Sequence, residues 1–151
     1  MGGFFYRLVS DKEKPRMSID YSERRDISLE NIVALYRANG WSSADKPELL
    51  QKALQNSHSL ISAWADTKLV GLGNAISDGY MVVYYPHLLV HPEYQGKGIG
   101  TEIIKKLKKK YEEFHQHMLV ADDRAIDFYK KCGFTRAGKT QPMWIYAGHD
   151  H

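Results

Sequence analysis

Apolar residues recur along this chain in blocks whose spacing switches between two and about three and a half, and the switches mark its elements. Residues 1–16 are charged and poor in apolar positions after Phe4, Phe5 and Tyr6, so they read as an appendage to a single domain over residues 17–151. Met17 to Tyr21 has the alternation of a first strand. Ser28 is placed to cap a helix carrying Leu29, Ile32, Val33 and Tyr36, and Gly40 is placed to end it. Trp41-Ser42-Ser43 links this to a second helix from about Pro47, with Leu49, Leu50 and Leu54 as its apolar side. Ser59–Trp64 and Leu69–Ala75 read as strands joined at Asp66-Thr67-Lys68. Asp78-Gly79 predicts a hairpin that returns the chain as one antiparallel strand from Tyr80 to Val90.

Leu88 to Thr101 then runs from apolar strand through Pro92 and three alternating glycines into a helix with Ile103, Ile104, Leu107, Tyr111 and Phe114 on one face. His117–Ala121 reads as a short strand, Asp123–Lys131 as a short helix, and Phe134 onward as one or two closing strands. The order β-α-α-β-β-β-α-β-α-β describes an α/β chain with a mixed sheet and helices on both faces. Gly96, Gly98 and Gly100 let the backbone approach a ligand and adopt left-handed angles. The helix that follows offers amides without intrahelical partners and the positive end of its dipole, a seat for a phosphate or pyrophosphate.

Two motifs carry a family resemblance. Gln95-Gly96-Lys97-Gly98-Ile99-Gly100, with the lead-in Leu88 to Tyr94, resembles the Gln/Arg-x-x-Gly-x-Gly/Ala signature of the GNAT superfamily of N-acetyltransferases. Ala125-Ile126-Asp127-Phe128-Tyr129 with Gly133-Phe134 resembles the Ala-x-x-Phe-Tyr-x-x-x-Gly-Phe helix of the same family. The resemblance covers roughly Ile19 to Tyr146. It implies the acyl-CoA N-acyltransferase fold, a mostly antiparallel sheet with splayed strands. Acetyl-CoA would lie between the strand of Leu88 and the strand of Leu119. Its pantetheine arm would pair with Leu88, Leu89 and Val90, and its pyrophosphate would sit over Gly96 to Thr101. The resemblance also implies direct transfer to an amine, with Tyr129 as general acid to the departing thiolate; the alternative for Tyr129 is a packing role beside Phe128.

Many family members carry Asn where this chain has Asp122. An ionised carboxylate accepts hydrogen bonds and donates none, so Asp122 is either a base for the incoming ammonium or, with Asp123, a helix cap. His87, His91 and Asp78 are weaker base candidates, the last two at turns. In this fold the link between the first two helices and the inner face of the fourth strand wall the acceptor. Trp41, Tyr84, Tyr85 and His87 stand there, an aromatic lining suited to an apolar or aromatic amine. Ser77-Asp78-Gly79, Ala121-Asp122 and Met143-Trp144 resemble plant plastid arylalkylamine (serotonin) acetyltransferases and their bacterial relatives. That points to a small primary amine as acceptor. Acetylation of a protein N-terminus or lysine, and an acetyl-CoA sensor without turnover, are the competing functions.

Composition removes other classes. The net charge of +3 is too small to argue for nucleic acid, and the lysines at 105, 106, 108, 109 and 110 oppose the apolar stripe as a solvated face would. No apolar run is long enough to span a bilayer, and none near the start forms a signal peptide. Cys132 is the only cysteine, which fits the reducing cytoplasm. No metal-ligand set is spaced along the chain. A P-loop needs Gly-Lys followed by Ser or Thr, which Lys97-Gly98 is not. Sheet-edge homodimers are common in the family and are compatible with the chain.

Overall fold

The computed structural model describes residues 18–150. The appendage over residues 1–16, its boundary at Met17 and the last residue lie outside the described residues. Strands β1 (Asp20–Ser22), β2 (Ser59–Ala65), β3 (Lys68–Ser77), β4 (Val82–Tyr84), β5 (Leu88–Val90) and β6 (Gln116–Met118) form a six-stranded sheet. Along it the order is β1-β2-β3-β4-β6, with β5 paired to β3. Helices α1 (Leu29–Ala38) and α2 (Pro47–Gln55) cover one face, α3 (Ile99–Lys110) covers the other, and α4 (Ile126–Lys131) follows β6. No helix among the described residues is long and apolar enough to cross a membrane.

The α1–α2 face buries Ile32, Leu35 and Tyr36 with Leu50 and Leu54 against Leu60, Leu72 and Leu89. Ser28 caps α1 by accepting from the Asn31 amide at 3.2 Å, and Gly40 leaves the helix at φ 71°. Leu49, expected on the apolar side of α2, is exposed. The pair Leu50 and Leu54, four residues apart, defines its inner face instead. Arg25 closes the C-terminal end of α2, donating to the carbonyls of Gln55 (2.8 Å), Ser57 (2.5 Å) and His58 (3.1 Å). The Gln55 carbonyl is one that helix geometry leaves without a partner, and the other two lie just past the helix end.

On the other face, α3 buries Ile99, Ile103, Ile104 and Leu107. It can lie close to the sheet because β3 presents glycine beneath it. A β-carbon at Gly73 would stand 2.6 Å from Ile103 Cγ2 and 3.0 Å from Leu107 Cδ1, and one at Gly71 would stand 2.9 Å from Ile99 Cγ2. Gly73→Val is therefore expected to destabilise the fold by about 3 kcal/mol, the upper end for an overpacked core. For a chain of this size that is a fall in Tm of about 6 to 12 °C, readable by calorimetry or circular dichroism.

Two sequence expectations change. The single strand expected from Tyr80 to Val90 is two strands. Ile76 pairs with Tyr84 and Gly73 with Leu88, so two residues of β3 face the three residues Tyr85, Pro86 and His87. This is a β-bulge with one extra residue, at the proline that has no N–H to give the ladder. The closing strands expected after Phe134 do not form among the described residues. Gly138 turns the chain at φ 58°, Thr140 hydrogen-bonds back to Ala137, and Pro142 again lacks a donor. The segment crosses instead to the α1–α2 link, where Ser42 Oγ donates to Asp150 Oδ1 at 2.5 Å and His149 meets Asp45 at 3.0 Å.

Candidate active site

The bulge creates the site. Before it, β4 pairs parallel with β6 (Val82 with Gln116, Val83 with His117, Tyr84 with Met118), and the Tyr85 amide still reaches the Met118 carbonyl at 3.0 Å. After it, β5 pairs only with β3. The edge of β5 turned away from β3 keeps its peptide groups without a strand partner, and a cleft of about 400 Å³ opens beside it. Leu88, Leu89 and Val90 line one side, Gln95, Gly96, Gly98, Ile99, Gly100 and Thr101 one end, and Trp41, Phe128 and Tyr129 the rest.

The loop end is built by glycine geometry. Gly96 has φ 76° and Gly98, the N-cap of α3, has φ 83°. Other residues adopt this left-handed region only at a cost of about 1–2 kcal/mol. Glu102 is the first α3 residue whose amide bonds inside the helix, to the Gly98 carbonyl at 3.0 Å. The amides of Ile99, Gly100 and Thr101 thus lie in the first turn without intrahelical acceptors. Gln95 Nε2 ties the loop back to the Val90 carbonyl at 3.0 Å. At Gly100 a β-carbon would stand 3.4 Å from Phe128 Cζ and 3.6 Å from Val90 Cγ2, ordinary contact distances where α4 closes against the helix start. Lys97 is exposed and outside the cleft lining.

Tyr129 lies against Phe128 and Phe134, with ring centroids at 5.1 and 5.9 Å. Burial, with a smaller contribution from Cys132, pushes its phenol up to about 12. It therefore remains an O–H donor across the neutral range.

Asp122 stands outside the lining. It caps the 3₁₀ turn Asp123–Ala125, accepting from the Arg124 amide at 3.1 Å, and its carboxylate lies 3.8 Å from Arg124 Nε. Arg124 does line the cleft. Tyr84 and Tyr85 are not in the lining either. Tyr85 points into the core under α3, its hydroxyl 2.8 Å from His117 Nδ1, while Tyr84, the neighbouring residue on the opposite face, is partly exposed. His91 caps a turn at Glu93, and Asp78 Oδ1 accepts from the amides of Tyr80, Met81 and Val82. Those three bonds hold the Asp78 carboxyl below its ordinary value.

His87 is largely buried beside the cleft wall. Its Nδ1 is 2.7 Å from the Tyr36 hydroxyl, and its ring meets Trp41 edge-on with centroids 5.2 Å apart. Burial lowers its pKa to about 4, so it is neutral near pH 7. The unfolded chain binds this proton near 6.5 and the folded chain only near 4, so stability is full above the higher value and is lost as pH falls between the two. The loss approaches about 3 kcal/mol. Urea titrations near pH 7 and near pH 4.5 should show a smaller difference in His87→Gln than in the parent.

Arg124 and the bulge itself are not among the candidates that the sequence offers, although Pro86 inside a strand pattern is a signal for the last. Among the described residues no cluster of three or more His, Cys, Asp or Glu could hold a metal ion.

Residues 23–143 match the acetyltransferase (GNAT) domain family. The chain belongs to the GNAT acetyltransferases. An uncharacterized N-acetyltransferase of Pyropia yezoensis is 31% identical over 138 residues, covering 85% of this chain and 79% of that one. A protein of Glycine max named histone acetyltransferase is 28% identical over 143 residues; they cover 84% of this chain but only 62% of the relative. Among solved structures, a GNAT-family acetyltransferase from Streptococcus pneumoniae superposes with a TM-score of 0.75 at 29% identity, covering 86% of this GNAT chain and 99% of its own. The chain is thus an acetyl-transferring enzyme, and its family implies acetyl-CoA as the donor.

Proposed function

We propose that this GNAT enzyme transfers acetyl from acetyl-CoA directly to a primary amine of a small molecule. The observation that carries the reading is the cleft with an unpaired strand edge along one side, free helix amides at one end and a protonated tyrosine in its wall. The edge of Leu88 to Val90 suits the amide-bearing pantetheine arm, which can hydrogen-bond as an added strand. The amides of Ile99, Gly100 and Thr101 suit the pyrophosphate, with Lys97 at the loop surface as a counter-charge. The unprotonated amine attacks the thioester carbon, a C–N bond forms, and the C–S bond breaks. The proton of the amine leaves to water or to a carboxylate, for which Asp122, outside the lining and paired with Arg124 that lines it, is the candidate. The Tyr129 hydroxyl donates to the departing sulfur.

Trp41 at the cleft wall, with His87 behind it, makes the acceptor end aromatic, which favours a small apolar or aromatic amine over a polar peptide. The name of the Glycine max relative is the specific observation for a second reading, acetylation of lysine in a protein. Release of free thiol from acetyl-CoA tests both. Turnover is expected with small arylalkyl amines and not with lysine peptides. Turnover on peptides alone would replace the first reading by the second, and binding without release on any amine would reject both.

A further inference from the structure

The bulge that opens the cleft has one residue opposite it whose side chain does the work of a missing backbone partner. Asn74 on β3 is buried, its amide donates to the His87 carbonyl at 3.1 Å, and its own side-chain Oδ1 accepts from the His87 amide at 3.0 Å. Its Nδ2 donates to Ser57 Oγ at 2.9 Å, and Ser57 Oγ donates to the Ala53 carbonyl at 2.9 Å, at the end of α2. The main chain of His87 is gripped at both of its polar groups by one residue, which is itself anchored to the neighbouring helix.

The ring of His87 then has a defined polarity. The Tyr36 hydroxyl is fully buried, and His87 Nδ1 at 2.7 Å is the acceptor available to its hydrogen among the described residues. Nδ1 is therefore bare, and the imidazole proton sits on Nε2. No buried side-chain nitrogen or oxygen is left unpartnered among the described residues, and His87 Nε2 has no protein partner, so that nitrogen keeps an opening to solvent. With Nδ1 already occupied by Tyr36, a ring in this state can give one further hydrogen bond, from Nε2, and take no other. It suits an oxygen of the bound substrates and not their ammonium group.

We infer that Asn74 is a positioning residue, which by fixing the main chain of His87 at the bulge holds the ring on Tyr36 and against Trp41 of the cleft wall, with Nε2–H as its open donor. The inference rests on the amine-acetylation reading for its kinetic consequence, but not for the state of the ring. Tyr36 is the one titratable side chain from the opposing helix that contacts His87, and neutral Trp41 packs on its edge. His87 is thus a binding donor and leaves the proton of the amine to another group.

The test is a double-mutant cycle on kcat/KM for the best amine, with Asn74→Ala and His87→Ala singly and together, alongside ¹⁵N spectra of the histidine rings. Asn74→Ala is expected to lower kcat/KM by about tenfold, the scale of one lost hydrogen bond, while acetyl-CoA still binds. In the His87→Ala background the same change should have little further effect. The spectra should show a single Nε2–H form of His87 in the parent between about pH 5 and about pH 8, and a mixture in Asn74→Ala. Asn74→Asp, which keeps an oxygen for the His87 amide, should retain the single form, and it serves if the alanine variant does not fold. An equal loss in both backgrounds, or a ring form unchanged in Asn74→Ala or lost in Asn74→Asp, would overturn the inference. If the parent acetylates no amine, the amine reading fails while the spectra still decide the role of Asn74.

Discussion

Tyr129→Phe is expected to lower turnover by about a hundredfold or more, the usual range for loss of a general acid, with acetyl-CoA affinity nearly unchanged. In the proposed mechanism the hydroxyl matters when negative charge gathers on sulfur, and little before, so its removal should fall on kcat and not on binding. Its high pKa shapes the expectation further. A phenol pushed up to about 12 is a poor proton source for a thiolate whose ordinary pKa is about 8.5. Its effect is then mostly a hydrogen bond that strengthens as the C–S bond stretches, with the proton crossing late or arriving through water. The pH–rate profile should accordingly show no limb from this group below about pH 10. Thiol-release kinetics and calorimetric titration with acetyl-CoA together check the prediction. A variant with unchanged kcat would remove Tyr129 from the chemistry.

Gly98→Val is expected to weaken acetyl-CoA binding by about 10- to 100-fold, from backbone strain of about 1–2 kcal/mol and a displaced amide contact. The space around Gly98 does not cause this, since a β-carbon there would meet nothing within 4 Å. The cause is φ 83°, which valine avoids, so the loop must move and carry the amides of Ile99 and Gly100 with it. Gly100→Ala is the control. Its β-carbon would make contact with Phe128 at 3.4 Å inside ordinary helix, and affinity should change far less. Isothermal titration of both variants separates strain from bulk.

Much of this was legible in the chain because the signals were local. The Ser28 cap, the Gly40 stop, the Asp78 turn and the glycine loop each depend on residues within a few positions, and each falls where the pattern placed it. What was not legible depends on partners far away in sequence. Alternation assigns Tyr85 to a strand, but only its depth beneath α3 shows that it packs with Tyr111 and Phe134 away from the cleft. Leu49 and Leu50 look alike until the docking angle of α2 buries one of them. The apolar run at Met143 to Tyr146 has the composition of a strand, yet it forms none, and the chain before it is turned by Gly138 and Pro142. Asn74 carried no signal at all, since its meaning comes from a bulge thirteen residues away.

The glycines beneath α3 also act as a ruler. In the proposed binding mode they would set how far the anchoring end of the donor stands from the floor that carries its reactive end, because one belongs to the helix and the other to the sheet. A milder change there, such as Gly71→Ala, would lift the helix by a few tenths of an ångström without unfolding anything. The thioester would then be held firmly in slightly the wrong place, and reactions that depend on near-attack distances are sensitive to displacements of that order. In that mode small residues far from any reacting atom would be bound to the rate through simple spacing.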